Sequence, residues 1–103
     1  RRHYIVIQYS EETGWDEFLN LCLKANSLKS LDKLMRLHLT AEEQQAVAMR
    51  YLIVRELVKG EKTQRDMAKT LKVSIAKITR GSNSLKIIDE ELKALLIKGV
   101  DDV

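Results

Sequence analysis

The sequence predicts an all-α fold. It has 103 residues, no proline and only 5% aromatic side chains, and its abundance of Leu, Lys, Ala and Glu suits helices better than sheets. Its apolar residues recur at three- and four-residue spacing, and good N-cap residues stand in front of several of these runs. The length is that of one domain. Residues 1–10 are expected to form a mobile arm, and residues 11–103 a single domain of six helices.

The arm, RRHYIVIQYS, has two arginines and a short apolar patch. It is too short for a signal peptide, and its charges could touch DNA phosphates. Residues 11–26 place Trp15, Phe18, Leu19, Cys22 and Leu23 at helical spacing, with Trp15 expected in a core or an interface. Residues 28–38 repeat Leu28, Leu31, Leu34 or Met35, and end on His38, expected as a packed histidine and not as a ligand. Thr40-Ala-Glu-Glu43 is a capping box that starts a third helix at Ala41. That helix carries a wide apolar surface through Val47, Tyr51, Val54, Leu57 and Val58, and Gly60 is placed to stop it. Arg50 lies inside it, either snorkelling to solvent or salt-bridged, or else serving as an anion or ring-stacking partner for a ligand. A last helix starts near Asp89 or Glu90, with Leu92, Leu95 and Leu96 apolar, Gly99 as its end and a frayed acidic tail.

Between these lies the segment Gln64 to Leu85, read as two short helices joined by a tight turn. Thr63 caps the first, with Asp66 near its positive end. Met67, Ala68 and Leu71 share one face, and Ala68 is small where two helices approach. Lys72 and Val73 form the turn, where many such motifs hold a glycine suited to the left-handed region. Ser74 caps the second helix. Ile75, Ile78 and Leu85 form an inward stripe, while Ala76, Lys77, Thr79, Arg80 and Ser82 point elsewhere and suit base edges and phosphates. Gly81 in mid-helix costs about 1 kcal/mol relative to alanine, which calls for a close approach of backbone or ligand. The pattern is that of a helix-turn-helix whose second helix enters a DNA groove; the plainer alternative is two amphipathic surface helices.

Charge favours the first reading. The net charge is only +3, but between Gly60 and Lys86 seven basic residues (Lys62, Arg65, Lys69, Lys72, Lys77, Arg80 and Lys86) face only Glu61 and Asp66. That is the footprint of a nucleic-acid partner. One cysteine, Cys22, excludes an intrachain disulfide and fits a cytoplasmic setting. No apolar run is long enough to span a membrane. With His3, His38 and Cys22 as the candidate groups, no catalytic, metal-binding or cofactor constellation is expected, and an enzyme is the least favoured class. The apolar surface of six short helices exceeds what one small core absorbs, so a two-fold homodimer is expected, its two readers about 34 Å apart.

Several segments carry a resemblance: GWDEFLNLC at 14–22, LHLTAEE at 37–43, RYLIVRELVKGEKTQRDMAKTL at 50–71 and, most specifically, SIAKITRGSNSLK at 74–86. Across most of its length beyond the arm the chain resembles the tryptophan repressor family. The resemblance implies an intertwined homodimer with a helix-turn-helix reader in each chain. L-tryptophan is its corepressor, and it binds between core and reader. The loaded dimer docks on a palindromic operator in double-stranded DNA and blocks genes of tryptophan biosynthesis or uptake.

By the same resemblance, Arg50 and Arg80 enclose the indole, and Arg80 also faces the carboxylate and a DNA phosphate. Leu37, Leu39 and Thr40 come from the partner chain to hold the amino group and ring. Gly81 packs against the ring, and Ser84 lies near the amino group. On the DNA side, Gln64 and Arg65 match first-helix contacts, Ile75, Ala76, Thr79 and Arg80 groove-facing positions, and Lys86 a phosphate contact. Lys77 stands where the family commonly has threonine, at the seam of ligand and DNA, and is counted with the DNA contacts; it supplies a phosphate contact, alters base preference or crowds the pocket. Ala68 replaces a lysine that helps hold DNA, and Ala41 a proline. Two alternatives remain: a regulator of the same fold that is ungated or differently gated, and a helical interaction module without DNA activity.

Overall fold

In a computed structural model the described residues are 10–102, and they form six helices and no strand. These are α1 (Glu11–Lys24), α2 (Leu28–His38), α3 (Ala41–Lys59), α4 (Gln64–Leu71), α5 (Ile75–Leu85) and α6 (Glu90–Asp101). The expected arm falls outside the described residues except for Ser10, which caps α1 by accepting from the Thr13 N–H. Ser27, Thr63, Ser74 and Asp89 cap α2, α4, α5 and α6 in the same way, so five of the helices begin where a short oxygen-bearing side chain satisfies a free backbone donor.

Two helix ends depart from expectation. α1 stops at Lys24 and not at Asn26, with Ala25 extended as its C-cap. α6 runs through Gly99 to Asp101, and the Asp102 N–H still reaches the Lys98 carbonyl at 3.1 Å. A glycine stops a helix when the chain turns left-handed there; Gly99 stays helical, whereas Gly60 takes φ +67° and does end α3. The acidic tail is therefore helical up to Asp101. At the α4–α5 turn Lys72 itself adopts the left-handed conformation, φ 57° and ψ 47°. A residue with a Cβ costs about 1–2 kcal/mol there, and the Lys72 and Val73 N–H groups both bond the Ala68 carbonyl in return.

The chain divides after Ala41 into two compact units. In the first, α1 and α2 bury no residue. Phe18 sits with its ring centroid 5.9 Å from Trp15 and 5.0 Å from His38. His38 stays exposed while its Nδ1 lies 2.8 Å from the Leu34 carbonyl oxygen. Trp15, expected in a core or interface, is 60% exposed within the chain.

The second unit holds the core. Ile53 of α3, Met67 of α4 and Ile78 of α5 are buried, with Met49, Leu57, Ala68, Leu71 and Val73 packed around them. One residue from each of three helices thus meets at a single point, and the predicted faces of α4 and α5 supply two of the three. The α5 stripe is shorter than expected. Ile78 is fully buried, but Ile75, the first residue of the helix, is half exposed. Gly81 follows Ile78 by three residues and so lies on the same face. A Cβ there would stand 3.0 Å from Ile53 Cγ2 and 3.4 Å from Leu57 Cδ1. Glycine is what allows α5 to lie this close to α3. Ile78→Ala should cost about 2–5 kcal/mol of stability through the cavity it leaves, read as a lower urea midpoint with an unchanged slope.

Candidate functional site: a cationic cleft between two helices

α3 and α5 leave a cleft beside their close contact. It has a volume of about 430 Å³ and is lined by Ala46, Met49, Arg50, Ile53 and Val54 from α3 and by Lys77, Arg80, Gly81 and Ser84 from α5. The volume is that of a small-molecule site. The α3 residues recur at three- and four-residue intervals and the α5 residues do the same, so each helix contributes one face. Apolar groups form the walls, and Arg50, Lys77 and Arg80 bring three cations. Among the described residues none of the three is in an ion pair, and no carboxylate lines the cleft. Ser84 Oγ donates to the Arg80 carbonyl at 3.0 Å, which leaves its oxygen lone pairs open to a donor.

Four residues of the expected ligand set, Arg50, Arg80, Gly81 and Ser84, are thus brought together. Leu37, Leu39 and Thr40 are not part of this lining, which comes entirely from the unit that begins at Glu42. Leu37, at the end of α2, is 79% exposed. Sequence reading did not single out Ala46, Met49, Ile53 and Val54 as lining. The available signal was spacing: Ala46, Ile53 and Val54 stand three or four residues from Arg50, and Met49 stands three or four from Ala46 and Ile53.

The expected DNA set lies on α4 and α5. Thr79 Oγ1 donates to Gln64 Oε1 at 3.3 Å, joining the start of α4 to the middle of α5. Ala76, Thr79, Arg80, Asn83, Ser84 and Ile87 line a shallow groove of about 540 Å³ along α5. Arg65, Ile75, Lys77 and Lys86 are exposed, and Lys86 Nζ donates to Asn83 Oδ1 at 3.3 Å. Asn83 and Ile87 were not anticipated in this groove. Arg80 and Ser84 line both the groove and the cleft, so α5 presents the same two residues to both.

One residue that positions this unit escaped sequence reading altogether. Glu56 of α3 is buried at 4% exposure, and it accepts from Arg55 Nε at 2.9 Å and from Lys62 Nζ at 3.2 Å, with Lys59 Nζ at 4.0 Å. Lys62 lies in the link before α4, so the carboxylate ties that link to α3. The hydrogen bond from Lys62 leads in holding the Glu56 carboxyl below its usual range; burial opposes, and Arg55 and the lysine charges add to the lowering. An isolated glutamate in an apolar run with basic residues three and six places on was the only signal.

The described residues give six helices, with a cationic, ligand-sized cleft beside two turn-linked helices. The chain belongs to the Trp repressor family: the profile of the Trp repressor protein matches residues 13–99. It is similar to the Trp operon repressor homolog of Chlamydia trachomatis serovar D, 49% identical over 90 residues that cover 87% of this chain and 96% of that protein. The Trp operon repressor homolog of Chlamydia caviae is 45% identical over 86% of this chain and 88% of its own. That of Vibrio vulnificus strain YJ016 is 43% identical over 86% and 87%. Among the described residues no helix is long and apolar enough to cross a membrane, and no group of His, Cys, Asp or Glu is arranged to hold a metal ion.

The lowered Glu56 carboxyl predicts a pH signature. A group whose folded pKa is depressed contributes stability above its unfolded pKa and loses it as pH falls through the folded one. Glu56→Gln should therefore melt below the parent at neutral pH. The difference should shrink as pH falls below the ordinary carboxylate range and vanish below the folded value, as followed by thermal melts.

Proposed function

We propose that the protein is a tryptophan-responsive transcriptional repressor. In this reading it works as a homodimer, with L-tryptophan as corepressor in the α3–α5 cleft. The observation that carries the reading is that cleft. Arg50 and Arg80, two cations on facing helices, stand across a space of about 430 Å³ whose remaining walls are mostly apolar. A guanidinium plane suits both a flat indole and a carboxylate. Membership in a family of transcription regulators supports a regulatory and not a catalytic role, and the relatives' name, Trp operon repressor homolog, supports tryptophan as the signal.

The α4–turn–α5 pair serves as the helix-turn-helix. α5 enters the major groove, with Gln64, Arg65, Ile75, Ala76, Thr79, Arg80 and Lys86 as the DNA contacts. A ligand between α3 and α5 can bias the angle of α5 only by binding one geometry better than the other. Because Arg80 and Ser84 face both the cleft and the α5 groove, an occupant of the cleft acts directly on the DNA-facing helix.

The balance of buried and exposed apolar residues supports the dimer. Among the described residues only Ile53, Met67 and Ile78 are buried hydrophobics, while Trp15, Leu23, Leu28, Leu37, Tyr51 and Leu95 stay exposed. Exposure on this scale marks an interaction surface, and a second copy is the partner that shares the same need on the same helices. Residues 11–103 then act as one functional domain, completed by the partner. Leu37, Leu39 and Thr40 are supplied to the cleft of the opposite copy.

Two measurements test this reading. Sedimentation equilibrium should give twice the chain mass; a monomer at micromolar concentration would remove the dimer. Binding to a duplex with a palindromic tryptophan-operator-like site, at one fixed salt concentration, should tighten about 5- to 150-fold with L-tryptophan. Arg50→Ala should abolish that gain and leave the weak ligand-free binding intact. Equal affinity with and without the amino acid would overturn tryptophan gating.

A further inference from the structure

We infer that Lys77 is a ligand-binding residue of the α3–α5 cleft, the third cation that holds the carboxylate of an aromatic amino acid there. The inference rests on the tryptophan reading of that cleft and assigns one more residue to it.

Three observations carry it. Lys77 lies on the cleft wall together with Arg50 and Arg80. It precedes Arg80 by three residues on α5, which puts the two on adjacent rungs of one helix face. Among the described residues, none of the three cations is in an ion pair, and no acidic side chain lines the cleft. Three like charges around one cavity repel each other, and an anion placed among them relieves that repulsion at all three at once. Apart from Ser84 the remaining walls are apolar, which strengthens the attraction relative to open water. The anion must also be small and joined to an apolar body, because Ala46, Met49, Ile53 and Val54 make up most of the remaining lining. The α-carboxylate of an amino acid with an aromatic side chain meets both conditions. A lone ammonium meets neither, since it would join three charges of its own sign.

A phosphate of bound DNA is the competing role for the same ammonium, and the two roles separate by experiment. The full-length protein is titrated calorimetrically with L-tryptophan and with L-tryptophanamide, which keeps the ring and amino group but lacks the carboxylate. The comparison is made for the parent, Lys77→Met and Lys77→Arg. Lys77 is exposed, so both variants should keep the parental melting temperature. In Lys77→Met the preference for tryptophan over the amide should fall by about fivefold, the size of a partly solvated ion pair, and Lys77→Arg should restore it. Equal weakening of both ligands would mean a packing role and would overturn the inference. An unchanged preference with a shallower salt dependence of duplex binding would place Lys77 on a phosphate and overturn it as well. Failure of the parent to bind tryptophan at all would instead overturn the tryptophan reading of the cleft, and this inference with it.

Discussion

The close approach of α5 to α3 at Gly81 is the contact on which the rest of the second unit depends. Ile53 lies 3.0 Å from where a Cβ would be, a tight separation at which any side chain would push Ile53 back by a few tenths of an ångström. Because α5 comes this near, Ile78 reaches full burial against Ile53 and Met67. Beside that contact the two helices line the cleft. Core and cleft are two sides of one contact. The glycine that costs the helix about 1 kcal/mol in propensity sets the spacing of both.

The fold was legible in this sequence because its helix starts are marked in chemistry that acts locally. Ser10, Ser27, Thr63, Ser74 and Asp89 each accept from a backbone N–H three residues on, and no distant partner is needed to make that happen. Helix ends were less legible. Gly60 and Gly99 are the same residue after similar apolar runs, and only the first turns left-handed. Beyond Gly60 the chain turns and Lys62 reaches back to Glu56 six residues earlier, whereas Gly99 continues a helix already under way. Lys72 shows the converse, a residue with no preference for the left-handed region placed there by the two helices on either side.

The site was legible in part, for a related reason. Arg50, Arg80, Gly81 and Ser84 came from a motif resemblance, and they meet in one cleft. Gly81 also pointed to itself, since a glycine in mid-helix needs a steric cause. Met49 and Val54 look like any other apolar helix residues, and nothing in a linear sequence says which of several stripes faces a cavity. Glu56 gave only a faint signal, because basic neighbours beside a glutamate do not say that it will be buried among them. Ile75 was misassigned inward because periodicity fixes the angle around the helix but not how far along it the packing extends; it sits one turn before the contact, where α5 has left the core.

The cleft divides into a floor and a rim that answer differently to change. Ile53 and Gly81 belong to the floor and also to the core, so replacing either disturbs the packing that holds the three helices together. Arg50, Lys77 and Ser84 stand on the rim, exposed and outside the core cluster. Substitutions at such positions typically alter stability by about 0.5 kcal/mol or less. Descent with modification can therefore retune what the cleft accepts by altering its rim, one side chain at a time, without passing through unfolded intermediates. In the tryptophan reading of the cleft, divergence in ligand choice is cheap in this architecture, while divergence in helix spacing disturbs the core.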